Sequence, residues 1–392
     1  MRVGAGAPGR SGGLASSMTI YLDNNATTPL APEVLEAMLP LLREGHGDPG
    51  RVHTEGRVAR VAVEQAREQV ATLLDARPRE VVFTSGGTES VNAAVWGALA
   101  RRGTGTHVVA TAVEHSSVLD ACRRSGVATT VVDVDRCGRY DVASVVGSVG
   151  PDTALVSVQL ANHEVGTLQR AADVASALHG RGVLVHVDAC AAAGHVPVSF
   201  RALDADLCSV TAHKMGGPKG TGALLVRRGV RIEPFVVGGA QERARRGGVE
   251  NVAAIVGFGA TCAELAGDAL EHEAAVQRDL VAVAASVLDA VPDLERFGHP
   301  EQRLPNLLCF GVSGVEAEPV LLALDQHGVA AHSGSSCSSE TLEPSPVLAA
   351  MGVDADHSLR ISVGWSTTRA DVERFVEVLP GIVERLRSLR PA

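Results

Sequence analysis

The sequence predicts an α/β fold, a seven-stranded and mostly parallel sheet joined to a smaller α+β region. Three features carry that expectation. Seven short runs rich in β-branched residues recur between positions 81 and 226. Amphipathic stretches at helical spacing separate several of them, the pattern of a layered α/β unit. After about residue 250 the texture shifts to a long Ala- and Val-rich span followed by isolated short strands.

The expected strands are Val81–Thr84, His107–Thr111, Thr130–Asp133, Ala154–Val158, Val183–Val187, Leu207–Val210 and Ala223–Val226. The last two lie too close for a helical crossover, so one strand there should run antiparallel. Glu64–Leu74 reads as a helix leading into Pro78, and Ala171–Leu178 as a connecting helix. A helical span over roughly 250–290 precedes Pro292, then come strands Leu307–Phe310 and Leu359–Val363 and a C-terminal helix through Leu386. The organisation expected is a lead over 1–17, a large domain over 31–270, and a small domain built from 18–30 and 271–392.

Composition narrows the function. The 392 residues carry 35 basic and 45 acidic side chains, a net charge of −10, with 45% hydrophobic and 20% charged residues. That balance argues against broad nucleic-acid binding, and an aromatic content of 3% argues against base-stacking platforms. Arg243–Arg246 is the one local basic cluster of note. No run approaches 18 consecutive apolar residues, so no spanning helix is expected. Seven widely spaced cysteines without a CxxC pair form neither a disulfide framework nor a zinc site. No metal is expected. The first 17 residues lack the apolar core of a signal peptide and read as a disordered lead; the reading is cytoplasmic.

Only two of the 35 basic residues are lysines, Lys214 and Lys219. Arginine stays charged and cannot readily act as an amine nucleophile, whereas lysine can form a Schiff base. Lys219 follows Gly216-Gly217-Pro218 in a turn, so Lys214, just past a strand end, is the preferred candidate.

Ligands in open parallel sheets bind beyond the carboxyl ends of the strands. The residues there are Ser85-Gly86-Gly87-Thr88, Glu114-His115, Asn162-His163-Glu164, Asp188 and Thr211-Ala212-His213-Lys214. Ser85–Thr88 is either an anion cradle at a helix N-terminus or a plain turn with a Thr cap. Asp188 suits a buried ion pair or a protonated heterocyclic nitrogen. His115 is a core histidine or a catalytic one. Thr211 and His213 could share a phosphate with Thr88. Together with the rare lysine, this set points to pyridoxal phosphate. Cys337 lies in a small, polar run, His332-Ser-Gly-Ser-Ser-Cys-Ser-Ser339, which favours reactivity over packing. Arg360 could grip a substrate carboxylate or form a surface ion pair.

These motifs resemble the cysteine desulfurases of the NifS/IscS type, pyridoxal-phosphate enzymes of the class V aminotransferase family with the type I fold. The resemblance runs from about Tyr21 to Leu386. It is carried by YLDNNATTP (21–29), FTSGGTES (83–90), EHSSV (114–118), NHEVGT (162–167), VDA (187–189) and TAHKMGGPKGTGALLVR (211–227). GGAQERARRGGVEN (238–251), HSGSSCSSETLEPSPVL (332–348) and SLRISVGWSTT (358–368) complete it.

It implies that Lys214 holds the cofactor, that Asp188 pairs with its ring nitrogen, and that His115 stacks on the ring as acid/base. Gly87, Thr88, Thr211 and His213 would bind the phosphate, and Asn162 and Arg360 would orient the carboxylate of L-cysteine. Cys337 would take the sulfur as a persulfide, releasing alanine. A homodimer is implied, the 238–251 loop reaching into the partner's site. The sulfur acceptor would be an iron–sulfur scaffold, a tRNA thiolation enzyme or the DNA phosphorothioation machinery, and the chain looks like desulfurases of the last.

The chain departs from the family pattern in three places. Ala191 stands where a Gln usually bonds the cofactor's phenolic oxygen. Val249 replaces a Thr that reaches the neighbour's phosphate, and Asp48–His53 differs from an Asn-Pro-Ser-Ser-x-His pattern. Looser cofactor binding or an altered absorption spectrum is expected. The alternatives are a selenocysteine lyase, a class V aminotransferase or a non-catalytic sulfur-relay scaffold.

Overall fold

The computed structural model describes residues 19–102, 107–333 and 345–389. The lead over 1–17 and Cys337 therefore lie outside the described residues. The chain opens with a two-residue strand, β1 (Ile20–Tyr21), and then builds seven strands of one sheet. These are β2 (Val81–Thr84), β3 (His107–Thr111), β4 (Ala128–Val132), β5 (Thr153–Gln159), β6 (Leu184–Asp188), β7 (Leu207–Thr211) and β8 (Gly222–Val226). Their order is β2-β8-β7-β6-β5-β3-β4, with β8 antiparallel to both neighbours and every other pairing parallel. The short β7–β8 connection forces that reversal, as expected from the sequence. Strands β5 to β8 are buried along their whole length, which is why they read as continuous apolar runs.

Helices cover both faces. Thr54–Leu73 packs with Val252–Glu264, while Gly87–Arg102 lies with Ser116–Ser125 on the other side. Thr54–Leu73 starts ten residues before the expected Glu64, because the His53 side chain caps it by accepting from Gly56 N at 3.2 Å. The span over 250–290 is not one helix. It divides into Val252–Glu264, Ala269–Ala285 and Val287–Ala290. Gly267 takes φ +65°, a left-handed conformation that ends the first of these turns. The fourth strand sits at 128–132 rather than 130–133, and the C-terminal helix Arg369–Ser388 runs past Leu386.

The remaining strands are β9 (Leu294–Arg296), β10 (Leu307–Val312), β11 (Val329–Ala330), β12 (His332–Ser333) and β13 (Ser358–Ser362). Four of them make an antiparallel sheet ordered β12-β13-β10-β9. Its core is separate, with Leu308, Phe310, Ile361, Phe375 and Leu379 among its buried members. β1 pairs in parallel with β11, and Asp23 bridges to Ser362. The N-terminal segment is thereby stitched to the C-terminal part and laid against the ends of the large sheet.

A buried ion pair fixes the loop after β8. Arg67 Nη2 lies 2.7 Å from Glu242 Oε1, and Phe83 N donates to Glu242 Oε2 at 2.9 Å. The Arg67 guanidinium also sits 4.7 Å over the Phe83 ring. These contacts hold Glu242, Arg243 and Ala244 at φ 47°, 59° and 60°, a left-handed run that non-glycine residues rarely adopt. The arginines of this cluster are paired inside the chain: Arg243 with Glu64, Arg245 with the Arg79 carbonyl, and Arg246 with Glu89.

Candidate active site

At the carboxyl ends of β3, β5, β6 and β7 lies a cavity of about 280 Å³. Lys214 lines it from the single turn that follows β7, and Asp188 lines it from the last position of β6. Asp188 Oδ1 accepts from Cys190 N at 2.9 Å, which orients the carboxylate and draws the Cys190 thiol into the wall. Burial, with the Asp188 charge beside it, pushes that thiol well above its ordinary range, so it stays protonated. Behind Lys214, its carbonyl lies 3.1 Å from His195 Nε2. Burial lowers His195 to about 4, so this ring is neutral at physiological pH.

An anion cradle occupies one end. The helix Gly87–Arg102 begins at the cavity, with Gly87 and Thr88 lining it. A Cβ on Gly87 would lie 2.6 Å from Cys190 Sγ, so a side chain there would have to displace the Cys190 thiol. Thr211 is 1% exposed, and its Oγ1 finds no hydrogen-bond partner among the described residues. A buried hydroxyl without a partner beside a helix N-terminus is a site waiting for an anion. His213 lines the same end. Burial first, then Lys214 and Lys219, lowers it to about 4, so it serves as a neutral hydrogen-bonding group.

The opposite wall belongs to His115, the cap of helix Ser116–Ser125. Its Nδ1 accepts from Ser117 N at 3.1 Å and lies 2.8 Å from Ser117 Oγ. A main-chain N–H can only donate, so Nδ1 is the lone-pair nitrogen and the ring proton sits on Nε2. The His163 ring packs edge-to-face on His115, centroids 5.1 Å apart.

Arg360 reaches the cavity from β13. Nη2 pairs with Asp23 Oδ1 at 2.8 Å, and Nη1 donates to the His163 carbonyl at 3.1 Å. Each terminal nitrogen retains one further N–H, the fork that binds a carboxylate end-on. The alternative of a surface ion pair is excluded by burial, since Arg360 is 1% exposed.

Asn162 is buried and is not among the described residues that line the cavity. Its Oδ1 accepts from Glu164 N and Val165 N at 2.8 and 2.9 Å, and its Nδ2 donates to the Val113 carbonyl at 3.2 Å. The amide braces the turn after β5. Lys219 donates to the Thr28 carbonyl at 3.4 Å, outside the cavity. Ala191 lines the wall, while Val249 is exposed on the 238–251 loop. Asp48 caps its own turn, accepting from Gly50 N at 2.7 Å.

Cys337 lies outside the described residues, while residues before and after its segment are described. His332 lines the cavity, and Ser345 donates to Glu164, the residue after His163. Asn25, Ser117, Gln159, His163 and Cys190 also line it, and the sequence reading assigned none of them a role. Asn25, Ser117 and His163 lay in quoted motifs; Gln159 and Cys190 lay outside them.

The class-V aminotransferase family model matches residues 20–375. The chain belongs to that family. Among its relatives, a cysteine desulfurase of Trichormus azollae is 43% identical over 381 residues, covering 95% of this chain and 94% of the relative. The cysteine desulfurase IscS of Methanosarcina thermophila is 40% identical, covering 95% and 94%. Among solved structures, a NifS-like protein superposes with a TM-score of 0.87 at 33% identity, covering 94% of this chain and all of that one. A structure titled SspA in complex with cysteine gives 0.77 at 28% identity, covering 88% and 98%. The family is pyridoxal phosphate dependent, and the orphaned Thr211 hydroxyl, the closely packed Gly87 at the helix start and the strand-end Asp188 lining the same cavity as Lys214 fit that cofactor. No single described helix is long and apolar enough to cross a membrane.

Proposed function

We propose that the chain is a cysteine desulfurase, converting L-cysteine to L-alanine and passing the sulfur through a persulfide on Cys337. The observation that carries this reading is the convergence of Lys214, Asp188, His115 and Arg360 on one cavity that is also lined by His332, at the start of the segment bearing Cys337. Relatives named cysteine desulfurase at about 40% identity over nearly the whole chain support it.

Lys214 would hold pyridoxal phosphate covalently, with Gly87, Thr88, Thr211 and His213 around the phosphate and Asp188 at the ring nitrogen. When bound, the cofactor supplies an electron sink that weakens the bonds at the substrate's α-carbon. Arg360 fixes the substrate carboxylate through its remaining N–H fork. His115 presents a proton on Nε2 to the cavity. The Cys337 thiolate then attacks the substrate sulfur: an S–S bond forms, the C–S bond breaks with its electron pair left on carbon, and protonation there gives alanine. Cys337 retains the extra sulfur for an acceptor.

The acceptor class is an iron–sulfur scaffold, a tRNA thiolation enzyme or the phosphorothioation machinery. A cytoplasmic homodimer with the 238–251 loop at the interface completes the reading. The exposed Val237 and Val249 on or beside that loop support the interface. The six described cysteines, all unpaired, support a reducing compartment. Incubating the purified protein with L-cysteine and a reductant should yield alanine and sulfide in equal amounts. Pyruvate or an amino-group transfer product in place of alanine would contradict the proposal.

A further inference from the structure

We infer that His195 is a positioning residue that sets the distance between Lys214 and Arg360. This deepens the reading above and rests on its placing the cofactor on Lys214 and the substrate carboxylate on Arg360. An amino-acid substrate must reach both at once, its nitrogen toward the cofactor and its carboxylate toward the guanidinium. Lys214 comes from the turn after β7 of the large sheet, whereas Arg360 comes from β13 of the antiparallel sheet. A contact between the two parts must hold these anchors in register, and His195 touches both sides.

The contact begins in the chain that follows β6. Gly194 takes φ +83°, and a Cβ there would lie 2.3 Å from Met215 Cβ. Glycine therefore lets residues 194 and 195 settle closely on the turn that carries Lys214. His195 Nε2 then lies 3.1 Å from the Lys214 carbonyl. A carbonyl oxygen can only accept, so Nε2 carries a proton and donates. The ring is 1% exposed and is not among the described residues lining the cavity. It acts on Lys214 from behind.

The far side of the ring meets the C-terminal part of the chain. Its Nδ1 lies 3.1 Å from Gln277 Oε1 on the helix Ala269–Ala285, and Asn306 Nδ2 lies 3.3 Å from Nε2. Both amides are buried. Asn306 Oδ1 is buried without a hydrogen-bond partner among the described residues, so the amide turned oxygen-first shares the Nε2 proton and satisfies that oxygen. Asn306 immediately precedes β10, and its carbonyl accepts at 2.8 Å from Val363 N, just past β13. The tie thus runs from the Lys214 carbonyl through the His195 ring and Asn306 to the strand that bears Arg360. Burial lowers the ring to about 4, so the tie keeps one protonation state across neutral pH. Misplacing either anchor weakens every ligand that needs both.

The test uses the holoenzyme and L-alanine, an amino acid with no sulfur to lose, its binding read from the bound cofactor's visible absorption. His195→Leu should raise the Kd for L-alanine and the KM for L-cysteine by about two- to tenfold, the range of one neutral hydrogen bond. It should also shift the cofactor's resting band, because the Lys214 backbone is released. His195→Gln keeps a donor for the Lys214 carbonyl and should restore the band. Asn306→Ala cuts the tie on the Arg360 side alone, so Kd and KM should rise while the band stays in place. This variant carries the test if His195→Leu does not fold. A His195→Leu protein with a lower Tm but unchanged Kd and band would make His195 a packing residue and overturn the inference, as would an unchanged Kd in Asn306→Ala. A wild-type chain that binds L-alanine but forms none from L-cysteine would instead overturn the desulfurase reading.

Discussion

Arg360 and Asp23, 337 positions apart, meet at 2.8 Å on the wall of the cavity, and Arg360 is almost fully buried there. The pairing puts a negative charge beside the group that would receive the substrate carboxylate. It also explains why the N-terminal segment is stitched in by β1 and the Asp23–Ser362 bridge. Replacing Arg360 with Gln should raise KM for L-cysteine about 10- to 100-fold, the range of a charged hydrogen bond worth about 1.5–3 kcal/mol. Asp23→Asn should lower KM, because the competing charge is removed while an acceptor remains. Steady-state alanine formation measures both, and an unchanged KM in Arg360→Gln would exclude this arginine as the carboxylate site.

The Ala191 wall lacks a side-chain donor for the cofactor. Ala191→Gln should tighten cofactor retention during dialysis or shift the visible absorption band. If neither changes, the gap at 191 has no bearing on the cofactor.

Glu114 is buried below His115, with Oε1 accepting from Thr111 Oγ1 at 2.6 Å and from Gln159 N at 3.0 Å. Burial pushes its pKa from 4.5 up to about 8, despite those bonds. The folded state therefore holds a proton that the unfolded chain releases. This contribution to stability is full below pH 4.5 and is lost as pH rises through about 8. Glu114→Gln, which cannot ionise, should flatten the decline of Tm between those values. A parallel decline in both proteins would assign the loss to other groups.

The Arg67–Glu242 pair holds three consecutive residues in the left-handed region. Glu242→Ala leaves the buried Arg67 guanidinium with only the partly exposed Glu64 as counter-charge and should cost up to about 3–5 kcal/mol in denaturant unfolding. Ala244→Gly, at φ 60°, should stabilise by about 1 kcal/mol by relieving the backbone. Opposite signs for the two variants are the expected signature.

Much of the fold was legible because the buried strands β5 to β8 are mostly apolar, and the tight β7–β8 link dictated its own reversal. Lys214, Asp188 and Thr88 were legible because each sits beside a strand end, where local pattern and chemistry coincide. Asp23 and Asn25 stood in a quoted motif without a role, since their place depends on a two-residue strand pairing with β11. Asn162 also sits at a strand end, where a short polar amide in a turn satisfies main-chain groups, and sequence cannot show which way it points. The break near Gly267 was hidden because alanine- and valine-rich helices on both sides share one texture.

The most direct measurement is the mass of the peptide bearing Cys337 after the holoenzyme meets L-cysteine without reductant. Desulfuration predicts a gain of one sulfur atom on that peptide, alanine formed alongside, and loss of both in Cys337→Ser while the cofactor's absorption persists. Alanine release undiminished in Cys337→Ser, with no sulfur gained by the wild-type peptide, would contradict it.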